Sequence, residues 1–122
     1  MTSKNIDISV LVLCYNASKY IEECLDSIVN QNTAKKLEIV VMDDCSTDDT
    51  YDTLLQYSSS RKLHNVDFDV YKQLDNKGCY MNLLDGLNHC SGTVIAYMEA
   101  DDYWIDPNKL EYQYNFLLQN SS

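Results

Sequence analysis

The chain has 122 residues, 45% of them apolar, with three glycines and one proline, a composition that fits one globular domain with a real core and argues against a disordered segment. Its formal charge of -10 disfavours nucleic acid and anionic membrane as partners, since both need basic surface. It favours cations, or anionic ligands that arrive together with a metal. The first element in chain order is Ile8 to Cys14, "ISVLVLC", a nearly unbroken apolar, β-branched run that suits a strand covered on both faces. In the following "ASKYIEECLDSIVNQ", Tyr20, Ile21, Cys24, Leu25, Ile28 and Val29 recur at helical spacing, which predicts a helix from about Ser18 to Gln31. Leu37 to Met42, "LEIVVM", repeats the buried-strand pattern. A second helix is predicted near "STDDTYDTLLQY", with Ser46 or Thr47 as its cap and aspartates in its first turn. Val66 to Lys72 alternates and reads as a strand nearer an edge. A third helix, "YMNLLDGLNHC", leads into the strand "TVIAYM", Thr93 to Met98, and Pro107 is placed as the first residue of a last helix, "PNKLEYQYNFLLQ".

The order is β-α-β-α-β-α-β-α, which implies a mainly parallel sheet with helices on both faces, an α/β fold. In such a sheet ligands bind beyond the carboxyl ends of the strands. Three of the four strands end in polar clusters: Cys14-Tyr15-Asn16, Asp43-Asp44, and Glu99 to Asp102. Each alone has a plainer reading, a turn cap for Asp43 or Asp44, a tight turn at Asn16, packing at Tyr15. Their convergence on one sheet edge favours a shared site for an anion and a metal. The corner "MEADD" sharpens this, because Glu99, Asp101 and Asp102 repel one another unless a cation neutralises them.

The five cysteines, Cys14, Cys24, Cys45, Cys79 and Cys90, are odd in number and form no C-x-x-C pair. They fit neither a disulfide framework nor a zinc site and read as free thiols in a reducing cytoplasm. Cys14 and Cys45 lie near the expected site without a histidine to activate them and are read as small packing residues. His64 and His89 are isolated in sequence and read as structural or solvent-facing. The segment after Met1, "TSKNIDIS", has no apolar signal core, and no run approaches the length needed to cross a bilayer. The chain is therefore expected to be soluble and cytoplasmic, with any membrane contact peripheral and made through regions outside these residues.

Four strings together resemble the family 2 glycosyltransferases of the three-layer, Rossmann-like GT-A fold. "ISVLVLCYNASKYIEECLDSIVNQ" is similar to that family's opening strand and helix, "LEIVVMDDCSTDDT" to its second strand and Asp-Asp-x-Ser turn, "DNKG" to its Asn-x-Gly turn, and "SGTVIAYMEADDYWIDPNKLE" to the strand carrying its Asp-x-Asp type motif. The resemblance covers almost the whole chain, read as one nucleotide-sugar-binding domain over residues 1–122 and as the donor half of a longer transferase. It implies transfer of a sugar from a nucleotide-diphospho-sugar, with a UDP-sugar the first guess, to a saccharide or lipid-linked acceptor. By position it implies that Cys14, Tyr15, Asn16, Asp43, Asp44 and Gly78 surround the nucleotide, and that Asp101 reaches the ribose or a metal-bound water. Asp102, with Asp101 beside it, would bind Mg2+ or Mn2+ and so serve catalysis by stabilising the leaving diphosphate.

The chain departs from the family pattern at several points. Leu13 replaces the proline usual at the end of the first strand, Cys45 replaces the glycine common after the Asp-Asp pair, and Glu99 stands where aspartate is frequent. Asn82-Leu83-Leu84 replaces the Ala-Arg-Asn segment common in the third helix, so a basic residue is missing there. Lys77 is the candidate to substitute for it, against the plainer reading of a solvated lysine. Tyr103 and Trp104 offer either a stacking surface for a sugar or ordinary packing. No acceptor-side general base is recognisable, which leaves a non-catalytic nucleotide-sugar-binding or assembly module as an alternative. A receiver-type signalling domain is a further alternative, opposed by the Cys-Tyr-Asn ending of the first strand. The last helix is expected to leave Leu110, Tyr114, Leu117 and Leu118 as an apolar face that promotes self-association.

Overall fold

The computed structural model of the chain describes residues 5–63 and 65–120, without the side chain of Arg61. His64 thus lies outside the described residues. Four strands, β1 (Ile8–Cys14), β2 (Leu37–Asp43), β3 (Asp67–Lys72) and β4 (Val94–Glu99), form one sheet in the order β3-β2-β1-β4. Every pairing is parallel. Four helices connect or follow them: α1 (Ile21–Val29), α2 (Thr50–Ser58), α3 (Cys79–Leu87) and α4 (Lys109–Gln119). The order differs from the 2-1-3-4-5 arrangement of receiver-type domains, which removes that alternative.

The nearly unbroken apolar runs form the two central strands, where every residue of β1 and β2 is buried, the polar Ser9, Glu38 and Asp43 included. Alternate residues face opposite ways. Ile8, Val10, Val12 and Cys14 join Ile39 and Val41 in a core completed by Ile21, Cys24, Leu25 and Ile28 of α1, Leu54 and Tyr57 of α2, and Leu110 and Tyr114 of α4. Leu11, Leu13, Val40 and Met42 face the other way, toward Leu83 of α3. The result is three layers, with α1, α2 and α4 on one face of the sheet and α3 on the other.

Three helix starts differ from the sequence expectation, and at each of them side chains bond the nearby backbone groups. Helix α1 begins at Ile21 and not Ser18. Residues 17 and 18 are instead tied to the start of α2, the Ala17 N–H donating to Thr50 Oγ1 at 2.9 Å and the Ser18 N–H to Asp48 Oδ2 at 3.4 Å. Helix α2 begins at Thr50, uncapped by Ser46 or Thr47, whose groups bond Asp43 and Asn16. The Thr50 N–H is taken by Asp48 Oδ1 at 3.0 Å. Helix α4 begins at Lys109, with Pro107 in the preceding turn. There Gln31 acts as a clamp, accepting from the Leu110 N–H at 3.0 Å and donating to the Asp106 carbonyl at 2.8 Å.

The expected apolar face of α4 divides in two, with Leu117 and Leu118 exposed as expected and Leu110 and Tyr114 covered by the core. Tyr112 and Phe116 are exposed as well. On the opposite side of the sheet Ile95 and Tyr97 of β4 are also exposed.

Candidate functional site

The sheet order reverses direction between β1 and β4, and in open α/β sheets ligands occupy the crevice at such a switch point. Register brings the strand ends level: Cys14 pairs with Asp43, and Leu13 with Glu99. A cleft of about 520 Å³ opens there, lined by residues 13 to 17, Tyr20, Asp44, Asn76, Gly78, Cys79, Asn82 and residues 99 to 101. That volume lies in the range of small-ligand and cofactor sites. Of the residues expected from sequence, Cys14, Tyr15, Asn16, Asp44, Gly78 and Asp101 line it. Asp43 and Asp102 do not.

The loops after β1 and β2 are laced together. Asn16 has φ +50°, a conformation asparagine tolerates better than most residues. From it, Oδ1 accepts the Thr47 N–H at 2.8 Å and the Asp48 N–H at 3.3 Å, while the Asn16 N–H donates to Ser46 Oγ at 2.9 Å. Asn16 therefore braces the loop on which Tyr15, about half exposed, projects.

The two aspartates after β2 have different surroundings. Asp43 is fully buried. Its Oδ1 accepts the Ser46 N–H at 3.3 Å and the Ser46 hydroxyl at short range, while Oδ2 meets no partner among the described residues. Burial, then the adjacent Asp43 charge, pushes the Cys14 thiol far above its ordinary range, so it stays protonated, in keeping with a packing role. Asp44 has both carboxylate oxygens held by backbone: Oδ1 accepts the Lys77 N–H at 2.8 Å and Oδ2 the Gly78 N–H at 2.9 Å. Gly78 adopts φ 88°, ψ 159°, a region essentially closed to other residues, and its N–H reaches Asp44 in that conformation.

The acid corner is built by the turn after β4. The Ala100 N–H donates to the Leu13 carbonyl at 3.0 Å and the Asp102 N–H to the Glu99 carbonyl at 3.0 Å, which folds the segment back on itself. One oxygen each from Glu99, Asp101 and Asp102 then lie within 4.8 Å of one another, all on exposed residues. Among the described residues no ion pair neutralises them. Behind the corner, burial followed by the charges of Asp102 and Asp101 pushes the Cys24 thiol up to about 12. Partial burial and the Glu99 carboxylate, which accepts the Tyr97 hydroxyl at 2.9 Å, likewise push that hydroxyl up to about 12. Three converging carboxylates with no cationic partner among the described residues form a hard oxygen donor set, the chemistry that suits Mg2+ or Mn2+.

Two further candidates named from the sequence fall outside the corner's chemistry. Lys77 Nζ pairs with Asp85 Oδ2 at 3.1 Å and is not a free cation at the cleft. Trp104 packs partly against the core and lies under the Lys109 ammonium, 5.4 Å from the ring centroid. The sequence pattern does not mark Tyr20, Cys79 or Asn82 as cleft residues. Nor does it mark the side chains that support the site, Gln73 and Asp85, whose contacts follow no helix or strand period.

The chain has clear relatives. The glycosyl transferase family 2 model matches residues 9–122. The putative teichuronic acid biosynthesis glycosyltransferase TuaG of Bacillus subtilis is 34% identical over 99% of this chain and 46% of its own length. The poly(ribitol-phosphate) beta-glucosyltransferase of Bacillus spizizenii is 36% identical over 94% of this chain and 18% of its own. The chain thus spans less than half the length of these curated relatives. Among solved structures, S. aureus TarS 1-349 in complex with UDP superposes with a TM-score of 0.81 at 30% identity, covering 93% of this chain and 32% of that one. The mannosyltransferase PcManGT from Pyrobaculum calidifontis, in complex with GDP-Man and Mn2+, gives 0.83 at 28% identity, covering 90% of this chain and 32% of that one.

Proposed function

The chain belongs to glycosyl transferase family 2, and on that premise we propose that residues 1–122 form the donor-binding unit of a transferase that moves a sugar from a nucleotide-diphospho-sugar to a saccharide or lipid-linked acceptor. The observation that carries the reading is the meeting of three strand ends at one cleft with, on its rim, a triad of carboxylates that no ion pair among the described residues neutralises. Relatives solved with UDP and with GDP-Man and Mn2+ support the same class of ligand. The five cysteines are all free thiols, which fits a cytoplasmic setting.

In this reading the nucleoside lies against Tyr15 and Asp44. The carboxylate of Asp44 is already fixed by two N–H groups, so little ordering is needed when it accepts a donor from the base or ribose. Asp101, on the cleft wall, would reach the ribose, and Asp102, with Asp101 and Glu99, would hold the divalent ion. When bound, that ion supplies charge neutralisation for the diphosphate, both on binding and as the bond to the anomeric carbon breaks, an effect commonly worth several kcal/mol. Without it, Glu99, Asp101 and Asp102 would repel the diphosphate. Asp102 acts electrostatically and transfers no proton.

The division of roles is testable by calorimetry. Asp44→Ala is expected to weaken binding of free uridine and of UDP alike, whereas Asp102→Ala should spare uridine and weaken UDP with Mn2+. Equal losses of uridine binding in both variants would contradict the assignment.

A further inference from the structure

Helix α3 carries a buried asparagine whose role neither helix formation nor core packing explains. Asn82 is 1% exposed. Asparagine is a poorer helix former than alanine, and burying an amide costs stability unless it is hydrogen-bonded. Both ends of this amide are occupied: Nδ2 donates to the Met42 carbonyl at 3.0 Å, and Oδ1 accepts from Gln73 Nε2 at 3.1 Å. Gln73 Nε2 also donates to Asp85 Oδ2 at 2.9 Å, and the same oxygen pairs with Lys77 Nζ at 3.1 Å. The Gln73 N–H is fixed to the Asp43 carbonyl at 2.8 Å.

These contacts close a ring. It runs from Met42, two residues before Asp44, through Asn82, Gln73 and Asp85 to Lys77, and the Lys77 and Gly78 N–H groups return to the Asp44 carboxylate. Asp44 is thus held at both ends: its backbone is tied through Met42 at the end of β2, and its carboxylate lies in a turn anchored by Asp85. The bond between Gln73 and Asp85, and then the Lys77 ammonium, hold the Asp85 carboxyl below its usual range, so the ring is charged and intact at neutral pH.

We propose that Asn82, Gln73 and Asp85 are positioning residues for Asp44, setting the orientation in which its carboxylate meets the nucleoside. The proposal rests on the reading of Asp44 as a nucleoside contact. A side chain that acts only through Asp44 has no effect on binding once Asp44 is gone. One that merely stabilises the fold affects binding equally in either background.

The experiment is a double-mutant cycle on the 122-residue chain, with UDP plus Mn2+ as the probe so that the Asp44→Ala background keeps measurable affinity through the diphosphate. Asn82→Ala is expected to weaken binding about fivefold or more in the wild-type background and by less than about twofold alongside Asp44→Ala. Gln73→Ala removes the same ring from a partly exposed position and should behave alike, which covers the case in which Asn82→Ala fails to fold. Asp85→Glu, which keeps a carboxylate for Gln73 and Lys77, should restore affinity lost in Asp85→Leu. Equal losses in both backgrounds, or no loss from either Asn82→Ala or Gln73→Ala while Asp44→Ala weakens binding, would overturn the proposal. If Asp44→Ala itself leaves UDP and uridine binding unchanged, the nucleoside role of Asp44 fails, and the positioning role falls with it.

Discussion

Backbone conformation at two single residues decides how the site is shaped. Cys45 has φ +61°, a left-handed conformation that costs a side-chain-bearing residue roughly 1–2 kcal/mol. The chain turns there immediately after Asp44, which accounts for why glycine is expected at that place. Cys45→Gly should therefore raise stability by about 0.5–1 kcal/mol after allowing for the greater freedom of glycine in the unfolded chain, read as a higher denaturant midpoint with an unchanged slope. Gly78 presents the opposite case. A Cβ there would meet nothing within 4 Å, so Gly78→Ala should cost about 1–3 kcal/mol through backbone conformation alone. It should also weaken UDP binding, because relaxing that conformation moves the N–H away from Asp44. Loss of stability with unchanged UDP affinity would separate the turn from the site. The strand-end residues were legible because polar clusters after apolar runs are a local signal. The ring through Asn82 was not, since Asn82 lies 40 positions from Met42 in sequence and nothing in the helix pattern marks it.

Among the elements, the two central strands follow from their apolar runs, α1 from helical spacing, and α2 and α4 from capping and proline signals, but the helix starts do not follow. Proline favours the first position of a helix, yet α4 begins at Lys109 because Gln31 supplies the acceptor for the Leu110 N–H and holds Asp106 in place. The amphipathic pattern put Leu110, Tyr114, Leu117 and Leu118 on one exposed face, and the structure takes Leu110 and Tyr114 into the core while Leu117 and Leu118 stay exposed. Gln31→Ala leaves the Leu110 N–H without its acceptor at a buried helix start and should cost about 1–3 kcal/mol. Amide exchange should locate that loss: faster exchange confined to the first turn of α4 is expected. Uniform acceleration across the sheet would show instead that the clamp supports the whole domain. Leu25→Ala, which opens space in the core between α1 and the sheet, should cost about 2–5 kcal/mol globally and serves as the contrast.

At the level of the whole molecule, the strand order β3-β2-β1-β4 places the reversal of the sheet beside the acid corner. A parallel α/β sheet was legible from the alternation of strand-like and helix-like runs, but the order of strands depends on crossovers that periodicity does not encode. The net charge of -10 adds to the local problem: the field around the cleft opposes any bare diphosphate, and the carboxylates of Glu99, Asp101 and Asp102 concentrate that field on its rim. A divalent ion reverses the sign of the interaction at the point where the diphosphate would lie. The central claim is therefore that this chain takes its nucleotide through a metal bridge at the acid corner. The most direct measurement is titration calorimetry of UDP into the chain with Mn2+ and again with EDTA. Saturable binding with Mn2+ and little or none with EDTA is the predicted result, and equal affinity in the two buffers would contradict it.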